Sequence, residues 1–289
     1  GIRDVERSRG LGDVYKRQDI IITNDPFKGH CNHLPDWGFI RPVFYEDELV
    51  FVLLTRGHQL DTGGSFPGGY FANGYDIHAE GLMIPPIKIY DRGVERTDVL
   101  ELIWNNVRFP EGVKIDNYAL MAGLAVGEKR IHSLLDKYGK QAVVDWVEEM
   151  LVRMEANVRS TITEIPDGTY FGESATDDDG TTLDEQVWVR CEATIAGDEM
   201  TLDFTQSDDQ RTGFVNCVLA STYSRAVAGS FLFFDPEYSP FHNAGSMRPI
   251  TLIAPEGSVC NAQYPATVGG SPVLSLIHIS EPTRPLDIS

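Results

Sequence analysis

The chain has 289 residues, 42% of them hydrophobic and 23% charged, a balance that buries an ordinary globular core. Lys plus Arg number 24 against 43 Asp plus Glu, and the net charge of -19 repels phosphate backbones and anionic lipid, so no nucleic acid and no membrane is expected as a partner. No apolar run approaches the roughly 18 residues of a membrane span, no signal-peptide pattern occurs, and Cys31, Cys191, Cys217 and Cys260 are scattered without a CxxC pair, which predicts a cytoplasmic protein with reduced thiols.

Residues 1–18, ending in Tyr15-Lys16-Arg17-Gln18, show no apolar period and read as an unstructured, non-native arm; residues 274–289, containing Ser275-Leu276-Ile277-His278-Ile279-Ser280-Glu281-Pro282, read as a non-native tail. Both resemble translated sequencing-adapter strings and are left out of the fold, which implies a natural protein longer at both ends. Asp19 to Thr23 is a β-branched run that stops at the turn signal Asn24-Asp25-Pro26. Trp37 to Tyr45 and Leu49 to Thr55 are two strand-like runs around Glu46-Asp47-Glu48, a β-hairpin. A Gly-rich loop spans Gly63 to Gly69, and Ile84-Pro85-Pro86-Ile87-Lys88-Ile89-Tyr90 is extended because its prolines exclude a helix. A helix from about Ile115 to Tyr138 ends at Gly139, and Val143, Val147, Met150, Leu151, Met154 and Val158 mark one face of a second helix, making a helical hairpin. Strands return over Thr169 to Ser174, Glu185 to Ile195 and Met200 to Phe204, and a helical patch covers Val218 to Phe234. The class is mixed α/β (α+β): a hairpin-rich first part, a central helical hairpin and a second strand-rich part. The expected subdomains are 19–165 and 166–273.

Four of the seven histidines, His30, His33, His58 and His78, lie close together in sequence, and two open the pattern His-x-x-Asp: His33 with Asp36, and His58 with Asp61. These pairs flank the hairpin. With Glu46 and Asp47 as a two-residue loop, Asp36 falls opposite Gly57, Pro35 opposite His58 and His33 opposite Leu60, and a three-residue loop shifts this by one. Side chains on facing strands lie about 5 Å apart, and diagonal ones about 7 to 8 Å. His33, Asp36 and His58 therefore converge, and two imidazoles with a carboxylate suit a divalent ion, Mn or Zn. Asp61 is the expected catalytic residue, as an orienting group or a base. His30 and His78 are weaker ligand candidates, and His132 is structural. Asp177-Asp178-Asp179-Gly180 lacks the glycine and glutamate of a calcium loop and reads as a tight solvated turn. The Gly63–Gly69 run has no Lys-Ser/Thr after it, so it is a mobile substrate-side loop and not a P-loop.

Asn24-Asp25-Pro26-Phe27, His33-Leu34-Pro35-Asp36, His58-x-x-Asp61-x-Gly63-Gly64 and Glu80-Gly81-Leu82-x-Ile84-Pro85-Pro86-x-Lys88 together resemble the hydantoinase B and oxoprolinase family. Asn106-Val107-Arg108, Ile165-Pro166-Asp167-Gly168-Thr169-Tyr170, Asp203-Phe204-Thr205, Arg248-Pro249-Ile250 and Ala254-Pro255-Glu256-Gly257-Ser258 continue the likeness in order, from about Asp19 to Gly270. The resemblance implies a subunit of an ATP-dependent complex that hydrolyses a cyclic amide such as a hydantoin or 5-oxoproline, with ATP and Mg on an A-type partner subunit. In the carboxylase branch of the family it implies manganese on positions matching His33, Asp36 and His58. Two alternatives accompany this reading: a subunit of an acetone- or acetophenone-type ketone carboxylase, and a non-catalytic, metal-stabilised scaffold for the ATP-binding partner. The chain departs from the common pattern at His30, where glycine is usual, and at Gln59, where a second histidine is usual.

Overall fold

The computed structural model describes residues 15–230 and 241–270. The predicted arm up to residue 14, the predicted tail and the last residues of the Val218–Phe234 helical patch lie outside them. Both helices and sheets are present, in the mixed α/β arrangement anticipated. The chain divides into two compact units. One runs to Asp145 and includes Thr267–Gly269; the other runs from Trp146 to Ala266 and resumes at Gly270. The division falls inside a helix, whereas the sequence pattern placed it at the Pro166 turn.

The first unit is built on a five-stranded sheet in the order β3-β2-β1-β4-β5, with every neighbouring pair antiparallel. Its strands are β1 (Ile20–Thr23), β2 (Asp36–Tyr45), β3 (Glu48–His58), β4 (Ile87–Asp91) and β5 (Val94–Glu95). Trp37, Phe39 and Val43 alternate inward along β2, as a half-buried strand requires, and are fully buried. Helices α1 (Thr97–Trp104) and α2 (Pro110–Tyr138) cover the sheet, contributing Leu100, Ile103, Trp104, Val113, Met121 and Leu124 to one apolar cluster with Ile20, Ile22, Trp37, Phe39 and Ile89. Helix α2 begins with Pro110, where a missing N–H costs nothing, and ends at Gly139 with φ +83°. It approaches β3 so closely that a Cβ on Gly57 would lie 2.8 Å from Leu120 Cδ1.

The hairpin register carries the main correction to the sequence pattern. At the turn, Tyr45 pairs with Glu48 and Phe44 with Leu49, as a two-residue loop dictates. Val43 then pairs with Phe51, so Val50 is an extra residue, and the bulge places Asp36 directly opposite His58 instead of opposite Gly57. Residues Tyr15–Gln18, expected to be unstructured, are tied down: Gln18 O accepts from Gly93 N and Asp19 Oδ2 from Lys16 N.

Helix α3 (Lys140–Ile162) carries the predicted stripe only in part, since Val143, Met154 and Val158 are buried while Val147 and Met150 are exposed. In the second unit its C-terminal half joins a core with Val187, Val189, Phe204, Val259 and the thiols of Cys191, Cys217 and Cys260. There the sheet runs β6 (Gly168–Thr176), β7 (Val187–Ala196), β8 (Glu199–Asp203), β9 (Ile250–Ile253), with β8 and β9 parallel, and α4 is Leu219–Ser230. The 177–180 turn is tight as expected, but Asp179 is buried: its carboxylate accepts from Thr181 N, Thr181 Oγ1, Thr182 N and Gly213 N. All four cysteines are buried, and no disulfide joins any two of them. No helix among the described residues is long and apolar enough to cross a membrane.

Candidate metal centre

Asn24 anchors the region. Fully buried at the end of β1, it donates from Nδ2 to Leu34 O (2.8 Å) and Leu82 O (2.9 Å) and accepts at Oδ1 from Ile84 N. Asp25 next to it accepts from the amides of Phe27 and Lys28, an Asx turn, while its carbonyl receives Gly29 N and Cys31 N. These bonds fix the loop that delivers His33 to the start of β2.

His33 is buried, Asp36 half-buried and His58 exposed at the end of β3. His33 Nε2 lies 3.1 Å from Asp36 Oδ1, and His58 Nδ1 lies 3.0 Å from the same oxygen. One ligand atom from each falls within 4.8 Å of the other two, and among the described residues these three form the one such group of His, Cys, Asp and Glu. Burial pushes the Asp36 carboxyl upward, but the hydrogen bonds and charges of His33 and His58 outweigh it and hold the group below its usual range. Two imidazole nitrogens and a carboxylate oxygen at this spacing match the donor set of a first-row divalent ion. His33 Nδ1 is buried with no hydrogen-bond partner. The three predicted ligands are thus brought together.

The other sequence candidates lie elsewhere. His30 is exposed at φ +53°, and His78 sits exposed in the 3-10 turn Ile77–Ala79. His132 rides on α2 with its ring 6.0 Å from Tyr45. Gln59, one of the two departures from the expected pattern, is buried: it accepts from Asn117 Nδ2, and Asn117 accepts from Trp104 Nε1. Asp61 does not join the three. Its buried carboxylate accepts from Gly63 N (3.0 Å) and Arg108 N (2.7 Å) at Oδ2, and from Gly68 N (3.1 Å) and Arg108 Nη1 (3.0 Å) at Oδ1. Burial raises its pKa, the amides of Arg108, Gly63 and Gly68 lower it, and the balance holds it below its usual range. Arg108 also donates to Gly63 O and Gly64 O, so the Gly-rich loop expected to be mobile is braced at several points.

Two residues beside the site were not singled out from sequence. Tyr70 follows the Gly-rich loop with its ring 5.9 Å from that of His33 and 6.0 Å from that of His58. Glu80 is wholly buried. Its Oε1 accepts from Val268 N and Gly269 N, both at 2.8 Å, Oε2 has no partner, and burial pushes its pKa up to about 8 against the pull of those amides. Only the long-range fold makes either visible.

The hydantoinase B/oxoprolinase family model matches residues 2–281. The chain belongs to the hydantoinase B/oxoprolinase family. It is 34% identical over 275 residues to a Pseudomonas sp. (strain NS671) protein provisionally named as the B-type subunit of a D-/L-hydantoinase, covering 92% of this chain and 46% of that protein. It is also 34% identical over 258 residues to the beta subunit of the Pseudomonas jessenii caprolactamase, covering 89% of this chain and 43% of that one. The crystal structure of the ATP-dependent caprolactamase from Pseudomonas jessenii superposes with a TM-score of 0.87 at 32% identity, over 96% of this chain and 48% of that one. A nucleotide-free acetone carboxylase shares the fold, with a TM-score of 0.81 at 22% identity over 92% of this chain and 36% of that one. The chain therefore spans about half the length of these two curated relatives.

Proposed function

We propose that this family member forms part of the B-type subunit of an ATP-dependent enzyme that hydrolyses a cyclic amide, a lactam, hydantoin or 5-oxoproline-like ring, and that His33, Asp36 and His58 hold a divalent ion, Zn or Mn. The convergence of three ligand atoms within 4.8 Å at the open end of one hairpin carries this reading. When bound, such an ion supplies Lewis acidity to a carbonyl oxygen or an attacking water. The chain's own part is to keep Asp36 ionised between two imidazoles and to present His33 from a wall fixed by Asn24. Asp61, with all its bonds directed at the loop and Arg108, acts as the orienting group and not as a free base.

An A-type partner subunit is supported by the subunit names of the hydantoinase and caprolactamase relatives, and ATP and Mg are placed on it as the family resemblance implies. Identities of 34% and 32% to a caprolactamase favour amide hydrolysis over ketone carboxylation, because the acetone carboxylase likeness carries the fold alone. Elemental analysis tests the site: the purified chain is expected to carry metal, and the His33→Ala, Asp36→Ala double variant to lose it. Stoichiometric metal on the double variant sinks the assignment. In the reconstituted complex, ATP turnover should depend on a cyclic amide; turnover that requires a ketone and bicarbonate selects the carboxylase instead.

A further inference from the structure

We propose that Tyr70 is a positioning residue of this centre, setting the ring planes of His33 and His58; the inference rests on the metal reading above. A metal-bound imidazole is ordinarily held in plane by a hydrogen bond from its second ring nitrogen, and losing that bond costs affinity. Here the second nitrogen of His33, Nδ1, is buried without a partner. His58 is about half exposed, and among the described residues its single hydrogen bond is the one to Asp36. Neither ring is fixed in the ordinary way.

Aromatic packing takes that place. Tyr70 meets the His33 ring edge-on, at 78° and 5.9 Å, and lies nearly parallel to the His58 ring, at 28° and 6.0 Å, while the two imidazoles are 5.2 Å apart at 50°. These are the offset and edge-to-face arrangements that ring quadrupoles favour. The phenol closes a triangle of rings with the two histidines that share the Asp36 oxygen.

The loop before Tyr70 is built to aim it. Gly63, Gly64, Gly68 and Gly69 all adopt positive φ, between +76° and +80°. Asp61 clasps both ends of the loop through Gly63 N and Gly68 N, and Arg108 holds the carbonyls of Gly63 and Gly64. At Gly69 a Cβ would meet Glu80 O and Thr62 Oγ1 at 2.9 Å and Pro35 Cγ at 3.2 Å, so the backbone presses on the His33–Asp36 turn one residue before the phenol. A buried carboxylate, a guanidinium and four left-handed glycines leave Tyr70 little freedom. An incidental surface aromatic needs none of this.

The test is a Co(II) titration of the full chain and of Tyr70→Phe and Tyr70→Leu, read by the visible absorption of bound cobalt, with circular dichroism confirming the fold. Tyr70→Leu should weaken Co(II) binding by about tenfold or more, the range for lost orienting partners, and shift the absorption envelope. Tyr70→Phe, which keeps the ring, should match the wild type in both. Unchanged affinity and spectrum in Tyr70→Leu overturn the proposal, and so does a Tyr70→Phe that behaves like Tyr70→Leu, since the hydroxyl would then be the active part. A wild-type chain that takes up no cobalt overturns the metal reading itself, and this inference with it.

Discussion

Replacing Asp61 by Asn removes the centre of the loop clasp while keeping its shape. The carboxylate receives two hydrogen bonds on each oxygen. Asn has one acceptor oxygen, so its NH2 must face two of those donors, either Gly63 N with Arg108 N or Gly68 N with Arg108 Nη1. A hydrogen bond to a charged group contributes about 1.5–3 kcal/mol, and a buried donor left unpaired adds its own desolvation cost. Losing two such bonds at a residue only 3% exposed should destabilise by roughly 3–5 kcal/mol at pH 7. Because the folded-state pKa of Asp61 is depressed, the stabilisation is fully present above the unfolded pKa of about 4 and is lost as pH falls through the folded value. The gap between wild type and variant should therefore narrow on acidification below about pH 4. Urea unfolding gives the size, and hydrogen exchange over residues 61–70 gives the place. An Asp61→Asn chain within about 1 kcal/mol of wild type at pH 7, with unchanged exchange in that loop, refutes the clasp.

Glu80 has the opposite sign. Its folded pKa is raised from 4.5 to about 8, so the stability tied to its neutral form is present below 4.5 and is lost progressively as pH rises toward 8, at up to about 1.4 kcal/mol per pH unit. Glu80→Gln keeps an acceptor for Val268 and Gly269 and should flatten the stability profile across that window; parallel profiles would show that the carboxyl is ionised in the fold. Deleting Val50 should remove the bulge yet leave Phe51 opposite Val43 and Asp36 opposite His58, so that bound metal is retained at unchanged secondary structure. Loss of metal from the deletion variant would count against the register argument.

Much of the first unit was legible in sequence because its signals are local. Alternation in Trp37 to Tyr45, the Glu46-Asp47 turn and Gly139 behave as their chemistry dictates. The bulge was not legible: Leu49, Val50, Phe51 and Val52 are all good strand residues, and nothing among them marks which one is left unpaired. Helix α1, too short for a periodicity window, went unread although Val99, Leu100, Ile103 and Trp104 form a helical stripe. At the site, His33, Asp36 and His58 were found because the hairpin converts sequence distance into contact. Asp61 shares the same His-x-x-Asp pattern, but its partner Arg108 lies 47 residues away, and no pattern around 61 encodes it. Tyr70 owes its place to a loop whose path depends on that same bond.

The bond from Glu80 to Val268 closes a span of 188 residues, and Thr267–Gly269 belong to the first unit although the second unit is threaded between. This fixes an order of assembly. During synthesis from the N-terminus, the hairpin and its histidines can form early, but the amides that receive Glu80 emerge only after the second unit has been made. Until then Glu80 stays hydrated and ionised, and its burial is a late event. Glu80 thus forms a latch that only a chain made through Gly269 can close, which ties completion of the first unit to synthesis of the intervening one.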